Sequence, residues 1–136
     1  SIDSYAFNNC TKLTTVVIPD SVESIGPSTF RNCSSLTEIT LPFVGASKTA
    51  NNGYDQVFGY IFGYRTGLES NSISGATYQY YDSSTSSSYK YYHYYIPTSL
   101  KTVFIFLRVT SIESRRYSFF FAYQNTLQYQ TYFWKD

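Results

Sequence analysis

The feature that most constrains this chain is a repeat. Ile2, Phe7, Asn9, Cys10, Leu13, Val16, Ile18 and Pro19 return as Ile25, Phe30, Asn32, Cys33, Leu36, Ile39, Leu41 and Pro42, each 23 residues on. A fixed period of this length means that each repeat is one small supersecondary unit. No such unit can bury its own apolar edge, so the units must stack and share a continuous core.

The content of the repeat shows how a unit is built. Leu13, Val16 and Ile18 form an L-x-x-L-x-L stretch, the strand signature of leucine-rich repeats. Strand alternation sends Val16 and Ile18 inward and Thr15 and Val17 outward. Pro19 cannot donate to a ladder and ends the strand. Residues 21–25 cross to the next side of the coil, and Gly26-Pro27 make a turn. Tyr5-Ala6-Phe7 is expected to form a short helical turn, with Phe7 plugging the core.

Tyr5-Ala6-Phe7-Asn8-Asn9-Cys10-Thr11-Lys12-Leu13, followed by Ile18-Pro19-Asp20-Ser21-Val22-Glu23-Ser24-Ile25-Gly26, resembles the BspA-like class of leucine-rich repeats. The resemblance covers residues 2–45 and keeps aromatic, Asn-Cys, Leu, Ile-Pro, Ser-Val and Ile-Gly in order. It implies a surface or secreted protein of a host-associated microbe, adhesion to a host surface or matrix protein, and no catalysis.

After Val44 the period breaks. Residues 45–96 are rich in Gly, Ser and Tyr, and 55–64 are a compact aromatic cluster. The stretch opening Leu41-Pro42-Phe43-Val44-Gly45-Ala46-Ser47 is similar to insertions in bacterial members of the same family. Two tyrosine-rich runs, 77–82 and 89–96, flank a Ser/Thr tract at 83–88, which reads as a β-hairpin with a polar loop. The repeat then returns: Leu100, Val103 and Ile105 repeat Leu13, Val16 and Ile18, and Val109 and Ile112 repeat Val22 and Ile25.

The tail departs further. Glu113 stands where the pattern has Gly, and Phe119 to Phe121 is a bare aromatic run. A shift of six residues brings Ala122, Tyr123, Asn125 and Tyr129 to the places of Ala6, Phe7, Asn9 and Leu13, with Thr126 at the Cys position. Either a degenerate coil or a shift of reading frame accounts for it.

The expected fold is therefore a β-rich leucine-rich-repeat solenoid of short parallel strands and small helical turns, interrupted by an aromatic β-hairpin insertion. Residues 1–136 read as one domain fragment: 1–44 two regular repeats, 45–96 the insertion, and 97–136 resumed, degenerate repeats. The chain opens in mid-pattern and contains no Met, so it reads as an excerpt of a longer protein.

Composition narrows the partners. Ten Lys and Arg against nine Asp and Glu give a net charge of +1, no electrostatic case for nucleic acid. Lys101, Arg108, Arg115 and Arg116 read as a solvated edge. No apolar run of about 18 residues exists to span a membrane. The 16 Tyr and 11 Phe favour strands and aromatic contact surfaces.

Catalytic constellations are not found. His93, the single His, has no triad or metal partners nearby in sequence. Asp20 and Glu23 read as solvated carboxylates rather than an acid/base pair. Cys10 and Cys33 read as a buried ladder of free thiols; a disulfide between stacked coils would bring parallel Cβ vectors together, a poor geometry. Two Cys without His partners make no zinc motif. Asn9-Cys10-Thr11 and Asn32-Cys33-Ser34 are formal glycosylation sequons, read here as turns in which the Asn side chain bonds the backbone. No enzyme, cofactor or metal is expected.

The outward strand positions are the leading candidates for partner binding. Stacking places Thr15 and Val17 beside Glu38 and Thr40, then Thr102 and Phe104. The second candidate is a tyrosine ladder of Tyr78, Tyr80, Tyr91 and Tyr95. The expected function is non-catalytic protein binding or adhesion at the cell surface or outside the cell. The alternative is a structural spacer that displays other domains. Uncapped coil ends also predict self-association.

Overall fold

The computed structural model describes residues 1–50, 55, 57–65, 77–81, 90–107 and 130–135; of these, 64–65, 77–81, 90–93, 106–107 and 130–135 are described by backbone alone. Four short strands run parallel in one sheet of order β1-β2-β6-β7. They are β1 (Thr15–Val17), β2 (Glu38–Leu41), β6 (Thr102–Leu107) and β7 (Gln130–Lys135). A separate antiparallel sheet of order β3-β5-β4 holds β3 (Tyr64–Arg65), β4 (Thr77–Tyr81) and β5 (Lys90–Tyr94).

The register of the parallel sheet follows the repeat. Val16 pairs with Ile39, and Ile39 with Val103. Ile18, Ile39, Leu41, Val103 and Ile105 are buried, while Val16, on the first strand, is only partly buried. The alternation of apolar and outward positions fixes this register, because a slip of one residue would turn the core set to solvent.

Across the coil from the sheet, residues 4–9 make a chain of tight turns rather than a helix. Ala6, Asn8 and Cys10 donate N–H groups to Asp3, Tyr5 and Phe7, three residues back. Tyr5 and Asn9 have φ of 60 and 62, and Ser28 and Asn32, one coil on, have φ of 59 and 58. These left-handed residues break helical geometry. Their effect is to aim the N–H groups of Ile2, Tyr5, Phe7 and Asn9 at the carbonyls of Ser24, Pro27, Thr29 and Arg31 on the next coil. The main-chain donors thus join coils instead of closing a helix.

Phe7 is not a core plug. It is 40% exposed and lies flat on Phe30, with ring centroids 5.4 Å apart and planes 4° from parallel. Phe30, at the same repeat position, is fully buried and also meets Phe62 at 6.4 Å. The difference is one of neighbours: Phe30 has an aromatic ring on each side.

The second side of Phe30 is covered by the 3-10 helix Phe58–Phe62, whose residues are all buried. Ser28 and Phe30 donate N–H groups to the carbonyls of Tyr60 and Ile61, as Tyr5 and Phe7 do to Pro27 and Thr29 one coil earlier. This packing lies inside the span 45–96, where the 23-residue period is broken, and the repeat gives no hint of it. At Gly63 φ is 89, a conformation that favours glycine. The chain there enters the antiparallel sheet and comes back beside the point of entry, where Tyr95 N–H donates to Gly63 O at 2.9 Å. Leu100 N–H then bonds Pro97 O, just as Leu36 N–H bonds Cys33 O and Leu13 N–H bonds Cys10 O. Pro97 therefore stands in the Cys position of its turn.

At the far side, β7 pairs with β6 with Gln130 opposite Thr102 and Tyr132 opposite Phe104. The spacing that sets Tyr129 in the place of Leu13 would put Thr131 in the row of Thr15. The ladder puts Gln130 there, one residue earlier. Val109, Ile112, Glu113, Phe119 to Phe121, Ala122, Tyr123, Asn125, Thr126 and Tyr129, and the basic residues Arg108, Arg115 and Arg116, lie outside the described residues. So does the Ser/Thr tract at 83–88.

Candidate binding face of the parallel sheet

The outward positions of the parallel strands form two rows. Thr15, Glu38 and Thr102 are register partners, with Gln130 continuing the row. Val17, Thr40 and Phe104 are register partners in the second row, continued by Tyr132. Adjacent strands are about 5 Å apart, so the side chains of Thr15, Glu38 and Thr102, and those of Val17, Thr40 and Phe104, are closely spaced along their rows.

Exposure is uneven along the rows. Val17 is 63% exposed, whereas Thr40 is only 8% exposed. Thr40 sits on the second strand, flanked in its row by Val17 and Phe104. Glu38, Thr102 and Phe104 are half-buried, and Thr15 is exposed. The face offers a hydroxyl and carboxylate row beside an apolar row.

The tyrosine positions fall differently. Tyr80 is opposite Tyr91, and Tyr78 is opposite His93. Tyr95 lies beyond the end of β5 and has Arg31 over its ring, 5.2 Å from the centroid. That cation–π contact ties the base of the antiparallel sheet to the second coil. Arg31 and Tyr95 are 64 positions apart in sequence, and no repeat position signals their meeting.

The repeated Asn and Cys form ladders between coils. Asn32 Nδ2 donates to Asn9 Oδ1 at 2.8 Å, so the sequon side chains bond each other rather than their own backbone. Cys10 and Cys33 are free thiols, and Cys33 Sγ donates to Phe7 O at 3.2 Å. Burial pushes the Cys33 thiol above its ordinary pKa; the neighbouring Cys10 adds to the rise, and a backbone hydrogen bond from Cys10 opposes it. This disfavours the reactive thiolate. Asp20, on the crossing after β1, is bridged by Lys48 Nζ at 2.9 Å, and the same ammonium reaches Asp20 O.

Among the described residues no group of three or more His, Cys, Asp or Glu is placed to hold a metal ion. Likewise, no helix among them is long and apolar enough to cross a membrane.

The family model for the BspA-type leucine-rich repeat region matches residues 1–125, with six copies of the repeat. No curated protein and no solved structure matches the chain. Leucine-rich repeats of this kind are protein-interaction or repeat modules, generally without catalysis. With its period, its parallel sheet and this match over most of its length, the chain belongs to the BspA-type leucine-rich-repeat family.

Proposed function

We propose that this chain is a non-catalytic protein-binding module of a cell-surface or secreted protein, and that it acts in adhesion to a host surface or matrix protein. The observation that carries this reading is the in-register pair of outward rows, Thr15/Glu38/Thr102 and Val17/Thr40/Phe104, with Val17 63% exposed. A surface already ordered by the sheet costs little conformational entropy on binding. Residues Tyr78, Tyr80, Tyr91 and Tyr95 supply a second, aromatic contact area.

In this reading residues 1–136 are one domain, a solenoid of stacked coils. Residues 1–44 supply two coils. A third is split: its aromatic turn comes from 57–63 and its strand side from 95–107. The tyrosine-rich β-hairpin is inserted between those two parts. The resumed repeat from residue 97 runs on into the degenerate tail.

Val17→Glu tests the face. Val17 is exposed, so the substitution should change stability by no more than about 0.5 kcal/mol. Capture of the chain by purified extracellular-matrix proteins, read by biolayer interferometry, is expected to fall about tenfold or more. Capture at wild-type strength would reject this face. Absence of capture by the whole panel would favour a structural spacer over an adhesin.

A further inference from the structure

The antiparallel sheet has two unlike faces. Tyr64, Tyr94 and Thr77 are register partners in one row. Tyr94 is fully buried and packs on Gly59, so this row belongs to the face laid on the coils. Successive strand residues alternate between faces. Gln79, Tyr81, Lys90 and Tyr92 therefore share the face of Tyr94. The opposite face takes the row Arg65, His93, Tyr78 and, two residues on, the row Tyr91, Tyr80. Strands about 5 Å apart and rows about 7 Å apart gather these positions in one small patch.

Charge on the patch has one sign. The three strands contain Arg65, Lys90 and His93 and no Asp or Glu. Just past β5 the alternation continues: Tyr94 and Ile96 are buried, and Tyr95 between them is half-buried. Arg31 sits over the Tyr95 ring, 5.2 Å from its centroid. Among the described residues no carboxylate pairs with that guanidinium. Arg31 and the Arg65 position thus mark the end of the patch nearest the coils, and the tyrosine positions extend away from it.

What a sheet face lacks constrains its ligand. Main-chain N–H and C=O groups lie in the plane of the sheet, so an extended peptide would pair with an edge, that of β4, instead. On the face, recognition comes from side chains alone. Tyrosine joins an apolar ring to a hydroxyl, which matches the C–H faces and hydroxyl groups of a sugar ring. Arginine forks onto a carboxylate or sulfate. We propose that this face binds an acidic saccharide, with Arg65 and Arg31 taking its carboxylate or sulfate and Tyr78, Tyr80 and Tyr91 its sugar rings. The proposal rests on the aromatic contact area of the adhesion reading and is independent of the parallel-sheet face.

Isothermal titration calorimetry of the full 136-residue chain with hyaluronan, heparin and chitin tetrasaccharides tests it. Hyaluronan carries carboxylates, heparin carries carboxylates and sulfates, and chitin carries neither. Heparin should bind; binding of hyaluronan as well assigns the carboxylate, and binding of heparin alone the sulfate. The chitin tetrasaccharide should bind at least about tenfold more weakly. Arg65→Gln and Tyr80→Leu should each weaken heparin binding about tenfold, with unchanged circular dichroism; Arg65→Gln decides the matter if Tyr80→Leu fails to fold. Lys90→Gln makes the same charge change on the other face and should leave the affinity within about twofold. Val17→Glu should leave it unchanged too, so a failure of the parallel-sheet face and a failure here are read separately. No binding of heparin, equal binding of chitin, equal losses from Arg65→Gln and Lys90→Gln, or displacement of heparin by hexaglutamate would each overturn the assignment.

Discussion

Phe30→Ala is expected to destabilise the chain by about 3–5 kcal/mol, the range for removing a fully buried aromatic ring. That is a large share of the ~5–15 kcal/mol that holds a typical domain together. The ring is fully buried between Phe7 and Phe62. Its loss opens a cavity where the aromatic turns of successive coils meet. Phe7→Ala supplies the comparison. Phe7 is 40% exposed and has Phe30 on one side, so its loss should cost about 1–2 kcal/mol. Urea denaturation of both variants checks the difference. Equal costs would mean that the second and first coils are covered alike, contrary to the packing of Phe58–Phe62.

Gly59→Ala is the second large effect. A Cβ built at Gly59 would lie 2.3 Å from Cγ of Tyr94, and Tyr94 is fully buried. The ring cannot move aside without leaving the core, so the substitution is expected to cost at least about 1–3 kcal/mol. Tyr94→Ala alone should also be costly, by about 3–5 kcal/mol. The double variant should cost clearly less than the sum, because removing the ring removes the clash. Additive costs would show that Gly59 and Tyr94 do not touch. This contact matters for the organisation of the chain. Tyr94 ends β5, and with the Arg31–Tyr95 stack it holds the antiparallel sheet to the coils.

The sequence makes part of this legible for a physical reason. Burial of one strand face fixes a register, and the 23-residue spacing carries that register from Val16 to Ile39; Leu100 and Ile105 carry it on to Val103. The outward rows follow from the same alternation. Less legible is whatever rests on main-chain geometry. Nothing in the letters Tyr5 or Ser28 announces positive φ, and a Tyr is seldom found there. Sequence patterning therefore suggests a helical turn where the chain makes left-handed kinks. The aromatic turn of the third coil was hidden for another reason. Phe62 takes the place that Phe7 and Phe30 hold in the stack, but it lies 32 rather than 23 residues after Phe30, so the core is filled but the period is lost. The near burial of Thr40 is equally invisible in the repeat, since strand alternation marks its position as outward. At the tail the one-residue offset of β7 reflects how weakly a degenerate pattern constrains register.

The coils continue through the broken period, with Phe58–Phe62 completing the cover of the second coil. Native-state hydrogen exchange at Phe30 tests it most directly. Its N–H donates to Ile61 O at 2.8 Å, a bond that exists only if the two segments are stacked. Exchange should be slow, with protection close to that of Ile39 in the centre of the parallel sheet. Rapid exchange at Phe30 beside slow exchange at Ile39 would contradict the account, since the sheet would then stand without the third coil upon it.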